Sequence, residues 1–208
     1  MALHKERLTA QQSRAKVAVL PTPASARHAK RVVDIVLAAA GLLLLSPLIA
    51  IVAVAIKLDS RGPILCRKTL YGYAHQAIRA FKFRSMTTCT DGDQTSSAVT
   101  RVGRVLRQTG IDELPQLLNV LLGDMSIVGP RAFANRQDLP RGHFTLLEEF
   151  NPGITGRAQL IEARKRFMTA EQRIIEDLHY VENWSILLDF EIILMTILPH
   201  KASVSPEP

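Results

Sequence analysis

Cysteine is scarce: Cys66 and Cys89 are the only two in 208 residues. That scarcity excludes a disulfide-rich secreted scaffold and a four-thiolate zinc site, and a reduced, cytoplasmic setting is the simpler expectation. Acidic side chains are equally rare at the start of the chain. Residues 1–31 hold seven cations (Lys5, Arg7, Arg14, Lys16, Arg27, Lys30, Arg31) against the single acid Glu6, so they carry +6 of the formal +7 and leave +1 for the rest. A body so close to neutral does not offer the basic groove that nucleic-acid binding needs, and no nucleic-acid partner is expected. No internal repeat and no second domain of ordinary size can be discerned. A hydrophobic share of 47% and a mean hydropathy of +0.10 exclude disorder of the whole chain.

Charge is also missing from Ile35–Ile56, a run of 22 residues between Asp34 and Lys57. As a straight helix rising about 1.5 Å per residue it would reach roughly 33 Å, enough to cross a hydrocarbon core of about 30 Å. Ser46-Pro47 interrupts it at the midpoint. Proline deletes a backbone donor and collides with the carbonyl one turn back, so a bend is expected there, with the Ser46 hydroxyl bonding a freed carbonyl. Cations flank both ends: Arg27, Lys30 and Arg31 before the run, Lys57, Arg61, Arg67 and Lys68 after it. A true span would carry one basic flank across the membrane, against the positive-inside bias. The run is therefore expected to be a re-entrant helix-break-helix that enters and leaves on the cytoplasmic face, with a kinked single span as the alternative. Ala53-Val54-Ala55 looks like a signal-peptide cleavage site, but the apolar run is too long and starts too late for one.

The rest reads as a small α+β body, mainly helical. Residues 1–29 form a basic tail near lipid headgroups, 30–58 the membrane hairpin, 59–198 one domain and 199–208 a second tail. Ile64–Thr69 and Ile78–Phe83 have strand character, and residues 87–97 have loop composition. Leu114, Leu117, Leu118, Leu121 and Leu122 recur at helical spacing, which predicts a helix over 112–122 with Pro115 in its first turn and Gly123 ending it. Ser126–Arg131 reads as an extended segment entering a Gly-Pro turn, and 151–156 as a rigid loop. The last helical region, 170–198, breaks at Asn183-Trp184-Ser185. The apolar stripe beyond that break suits either a core or a membrane interface.

Adjacent carboxylates Asp112 and Glu113 at a helix start have a plain explanation, since acids there complement the helix dipole. Their company points further. Arg107, Arg104 and Arg101 precede them, Lys82 and Arg84 come from the preceding strand, and Arg131 follows the Gly129-Pro130 turn. Cations around two carboxylates suit a phosphate together with a divalent metal. A solvated basic face is the plain alternative for the arginines.

Several motifs in order make the chain similar to the bacterial sugar transferase family, the monotopic polyprenol-phosphate phosphoglycosyl transferases. They are Lys30-Arg31-Val-Val-Asp34 leading into the Ser-Pro-broken hairpin, Gly62-Pro63, Lys82-Phe-Arg-Ser-Met86 and residues 100–107. Ile111-Asp-Glu-Leu-Pro115, residues 123–131, Pro152-Gly-Ile-Thr-Gly156 and Tyr180-Val-Glu-Asn-Trp-Ser185 complete the series. The resemblance implies a bacterial inner-membrane enzyme with its catalytic domain on the cytoplasmic face, at the first membrane step of exopolysaccharide, capsule or glycoconjugate assembly. It implies transfer of a sugar-1-phosphate from a nucleotide sugar to polyprenol (undecaprenyl) phosphate, with release of UMP from a UDP donor. Asp112 matches the family's nucleophile and Glu113 the residue associated with Mg²⁺, with Asp112 as its neighbour ligand. Arg107 and Arg131 match phosphate-contacting positions, and Lys82, Arg84 and Arg101 are further phosphate candidates. Membrane lipids are expected partners, and a homo-oligomer is left open. Departures occur at Arg67–Gly72, Ala132, Arg157 and Ile161-Glu-Ala-Arg164, which motivates an alternative, a catalytically inactive membrane scaffold for polysaccharide assembly.

Overall fold

At Ser46-Pro47 the chain bends by 60° between two helices, α1 (Ala24–Leu44) and α2 (Ser46–Asp59). The computed structural model describes residues 24–89, 98–138, 145–165 and 168–198. Pro47 sits in the first turn of α2, where its missing N–H costs nothing, and the Ser46 hydroxyl donates to the Leu43 carbonyl at 2.7 Å. Neither helix alone is long and apolar enough to cross a membrane; only taken together across the bend do the two reach such a length and apolar content. Of the tail expected over 1–29, residues 1–23 lie outside the described residues, as does the expected tail at 199–208, and α1 already begins at Ala24.

Much of the hairpin faces away from the body. Leu43, Leu44, Ile51 and Leu58 are each exposed, Leu58 to 83%, whereas Ala38, Val52 and Ile56 are buried against it. Ala38 joins Ala80, Val120 and Met125 in one apolar cluster, and Val52 and Ile56 join Phe83 and Leu106 in another. A contiguous apolar surface of this kind marks an interaction face, since monomers rarely leave one to water.

The cationic start of α1 is used inside the protein. Lys30 Nζ donates to Asp189 Oδ2 at 2.8 Å, and Asp34 accepts from the Ser126 hydroxyl at 2.7 Å and the Ile127 N–H at 3.2 Å. Arg31 donates to the Val120 and Leu121 carbonyls, and Arg27 pairs with Glu149. The Lys-Arg-x-x-Asp motif is therefore a clamp that locks the hairpin to the body.

β1 (Leu65–Tyr71) and β2 (Ala77–Phe83) form an antiparallel hairpin with Cys66 opposite Lys82. α3 (Arg101–Thr109) starts on a Thr100 cap, whose hydroxyl accepts from the Gly103 N–H. Gly103 is required there, because a Cβ would stand 2.0 Å from the Ser85 carbonyl oxygen. After a 3₁₀ turn at Ile111–Glu113 come α4 (Gln116–Leu122) and β3 (Ser126–Val128). Next are a short 3₁₀ turn at Arg136–Asp138, α5 (Thr145–Glu148) and β4 (Gly153–Thr155), followed by α6 (Arg157–Lys165), α7 (Ala170–Glu182) and α8 (Ile186–Ile197). β4 pairs in parallel with β3, so the segment expected as a loop is a strand. The main core gathers Tyr73, Val128, Leu147, Leu178, Tyr180, Val181 and Ile192. In the α8 stripe Leu187, Phe190, Leu194 and Ile197 are exposed and Ile193 packs against the main core, while the buried apolar residue of α8 is Ile192, beside the stripe.

Candidate active site

Gly110 ends α3 in the left-handed region, φ 70°, which a side chain would oppose, and this reversal throws Asp112 and Glu113 into the following 3₁₀ turn. The pair thus precedes α4 rather than forming its first turn; Pro115 stands at the α4 cap. Asp112 is buried, 8% exposed, and Glu113 is half-buried with its Oε1 bonded to Lys82 Nζ. Burial pushes the Asp112 carboxyl above the usual carboxylate range and the adjacent Glu113 charge adds to this, while Lys82 and Arg107 pull the other way.

A cavity of about 320 Å³ is lined by Asp112, Glu113, Lys82 and Arg107, together with Cys66 and Cys89. A second, of about 630 Å³, shares Lys68, Lys82 and Glu113 and adds Arg131, Arg173 and Gln159. The Lys82–Glu113 pair stands between them. Of the sequence candidates, Asp112, Glu113, Lys82 and Arg107 therefore meet in one cavity and Arg131 in its neighbour. Arg84 and Arg101 line neither. Arg84 is buried and its guanidinium donates to the Ile56 and Ser60 carbonyls and the Ser60 hydroxyl, joining hairpin to strand, and Arg101 is exposed at the start of α3. Placing Arg84 on a phosphate is thereby corrected in favour of a structural role: just past the end of β2 the side chain turns inward.

Three groups escaped the sequence reading. Glu162 bridges two arginines, Arg131 through one oxygen and Arg173 through the other. It lies in the stretch that departs from the family pattern, and that departure was its one signal. Arg157, another departure, pairs with Glu176 at 2.7 Å. Beneath Arg131, the buried Asp177 accepts from the Arg131 backbone N–H at 3.2 Å and from the Tyr73 hydroxyl at 2.9 Å, and so fixes the turn that presents Arg131. The third group is the cysteine pair. Cys66 and Cys89 are bonded to each other, a pairing that the scarcity of cysteine did not suggest.

Burial raises the Asp177 carboxyl to about 7, against its two hydrogen bonds and the Arg131 charge. The folded protein thus keeps a proton that the unfolded chain, with a carboxyl near 3.9, has released. Stability is expected to fall as pH rises from about 4 to about 7 and then to level off. Asp177→Asn, which keeps an acceptor for both donors, should remove that slope. Thermal melts of both proteins from pH 4 to pH 8 check it, with the difference moving in favour of the variant as pH rises.

Two carboxylates on one turn, beside cations and open to a cavity, fit a small hard cation that takes one or two carboxylates and completes its shell with phosphate and water. Among the described residues no group of three or more His, Cys, Asp or Glu side chains converges to make an all-protein metal cage.

Comparison with known proteins agrees in extent and kind. The model of the bacterial sugar transferase family matches residues 25–201. The UDP-glucose:undecaprenyl-phosphate glucose-1-phosphate transferase of Escherichia coli (strain K12) is 43% identical over 197 residues, 87% of this chain and 42% of the relative. The protein of the same name from Klebsiella pneumoniae is 42% identical over 182 residues, 81% of this chain and 39% of its own length. The chain thus spans about two fifths of these two relatives. The exopolysaccharide production protein PSS of Rhizobium leguminosarum bv. phaseoli is 42% identical over 189 residues, 81% of this chain and 93% of the relative. The matched stretch takes in the clamp, the bend and both cavities, and the chain belongs to the bacterial sugar transferase family.

Proposed function

We propose that the protein transfers a hexose-1-phosphate from a UDP-sugar to undecaprenyl phosphate at the cytoplasmic face of the bacterial inner membrane, as a first membrane step in exopolysaccharide assembly. The observation that carries this reading is the buried Asp112 carboxylate beside Glu113, between the cations Lys82 and Arg107 in one cavity. UDP-glucose is the first donor to test, since two of the relatives are named for it.

In the first step an Asp112 oxygen attacks the phosphorus that bears the sugar. The phosphorus–oxygen bond to UMP breaks, UMP leaves with the electron pair, and an aspartyl-phosphosugar remains. In the second, an oxygen of undecaprenyl phosphate attacks the same phosphorus and the Asp112 carboxylate departs unchanged. Desolvation makes Asp112 a better nucleophile, and Lys82 and Arg107 offset the charge of the incoming diphosphate. Lys82 also holds Glu113 at the cavity wall. Asp112 and Glu113 would hold Mg²⁺, which when bound neutralises phosphate oxygens. Arg131, aimed by its backbone bond to Asp177, faces the neighbouring cavity as a second phosphate contact.

The exposed apolar faces of α1, α2 and α8 would lie in the cytoplasmic leaflet, which brings a lipid phosphate to a cytosolic donor. The decisive assay is UMP release from UDP-glucose and other UDP-sugars, dependent on undecaprenyl phosphate; no release with any donor sinks the reading. Chelation with EDTA should abolish transfer and added Mg²⁺ restore it, and Glu113→Gln should lower kcat by about 10²-fold or more. Full turnover in EDTA would remove the metal from the account.

A further inference from the structure

We propose that Cys66 and Cys89 form a reversible thiol–disulfide modification site that fastens one wall of the acidic cavity. Their Cα atoms lie 5.4 Å apart, within the ordinary range for a bonded pair. Both line the cavity that holds Asp112 and Glu113. Cys66 stands on β1 directly opposite Lys82, the partner of Glu113. Cys89 ends the described stretch that leaves β2. Earlier in that stretch Ser85 accepts from the Thr100 N–H at 3.1 Å, and the Thr87 N–H donates to Ala98 at 2.9 Å. The bond between the cysteines then ties the end of the stretch to the β1 position beside Lys82, at the lining of the cavity.

The proposed cytoplasmic setting gives the bond its role. Disulfides there are usually transient, serving catalysis or redox sensing. Phosphoryl transfer needs no thiol, so sensing remains. Both cysteines are half-buried rather than sealed, and a small disulfide can reach them. In the exchange one cysteine thiolate attacks glutathione disulfide and releases one glutathione thiolate, leaving a mixed disulfide. The second cysteine thiolate attacks the bound cysteine sulfur and releases the other glutathione. Two protein S–H bonds become one S–S bond, the oxidant's S–S bond becomes two thiols, and the protons go to the released glutathiones. Oxidation fixes the cavity wall beside the acidic pair, and reduction frees it. That the fixed wall improves binding of the nucleotide sugar rests on the transferase reading; the bond and its effect on the wall do not.

The test equilibrates the full chain, in lipid nanodiscs, with glutathione buffers from strongly reducing to strongly oxidising. Thiols are counted by alkylation and mass spectrometry, amide exchange is followed over 84–89, and KM is measured for UDP-glucose. Both thiols should disappear together and return together, exchange at 86–89 should slow about tenfold on oxidation, and KM should fall about threefold with kcat unchanged. Cys66→Ser and Cys89→Ser should each show the fast exchange and higher KM at every buffer ratio. Thiols that stay free, a stable mixed disulfide with glutathione, a bond that no buffer reduces, or a bond that leaves exchange unchanged would each overturn the proposal. An unchanged KM in an active enzyme overturns the link to the cavity. If exchange responds while no sugar phosphate moves in either state, the modification site stands and the transferase reading falls.

Discussion

Asp112→Asn is expected to lower transfer by at least about 10³-fold and to abolish the covalent phosphosugar adduct, while leaving the protein folded. The amide has the shape of the carboxylate but cannot form the acyl phosphate. Because burial already disfavours the Asp112 charge, the neutral side chain should leave Tm at pH 7.5 unchanged or raise it. Loss of activity without loss of stability separates a missing nucleophile from a damaged fold. The adduct is read by acid quench after mixing enzyme with a donor labelled in the sugar, before undecaprenyl phosphate is added. Turnover by the variant at the wild-type rate, or a wild-type enzyme that forms no adduct, would assign the first bond-forming step to another group.

The second large effect concerns the clamp. Asp189→Ala is expected to destabilise the protein by about 3–5 kcal/mol, because it leaves the buried Lys30 ammonium with Asp34 alone and takes the acceptor from the Tyr180 and Trp184 donors. Asp189 Oδ2 accepts from Lys30 at 2.8 Å and from the Trp184 indole N–H at 3.2 Å, and Oδ1 accepts from the Tyr180 hydroxyl at 2.7 Å. Asp34 stands 3.6 Å from the same ammonium and is already engaged by Ser126 and Ile127. Lys30→Met alone, and Lys30→Met combined with Asp189→Ala, complete the cycle: the double variant should lose less than the sum of the two single losses, since the Lys30–Asp189 pair is then broken only once. Denaturant melts of the three variants measure it; additive losses in the double variant would mean that the two groups do not act on each other.

Lys30 illustrates what a sequence can and cannot convey. It reads as one of a basic flank beside an apolar run, which is a topology signal, and its partner Asp189 lies 159 residues away. Local chemistry made the bend at Ser46-Pro47 legible, because proline acts on its own helix. The break between α7 and α8 was equally plain from Asn183-Trp184-Ser185. Ser185 caps α8 through its hydroxyl. The acidic pair was legible as chemistry but not as geometry: a 3₁₀ turn and an α-helix are both right-handed and share the i, i+3 spacing, so the leucine pattern ran them together. β4 is three residues long and exists by virtue of a parallel partner. No local period shows such a strand. The bond between Cys66 and Cys89 and the two-arginine grip of Glu162 arise from packing between separate elements, as does the inward turn of Arg84.

The clamp on α1 has a geometric consequence. Asp34 is fixed to β3, and from there to the bend at Leu45 the helix runs for about 11 residues, or roughly 16 Å. In the bilayer placement proposed above, that stretch is a gauge: it sets the height of the acidic cavity over the deepest point of the hairpin by counting residues rather than by affinity. One residue inserted between Asp34 and Leu45 would lengthen the gauge by about 1.5 Å and rotate everything beyond it by about 100°. In that proposed placement the Asp112 carboxylate and the plane of lipid phosphates would be kept in register by the length of a single helix.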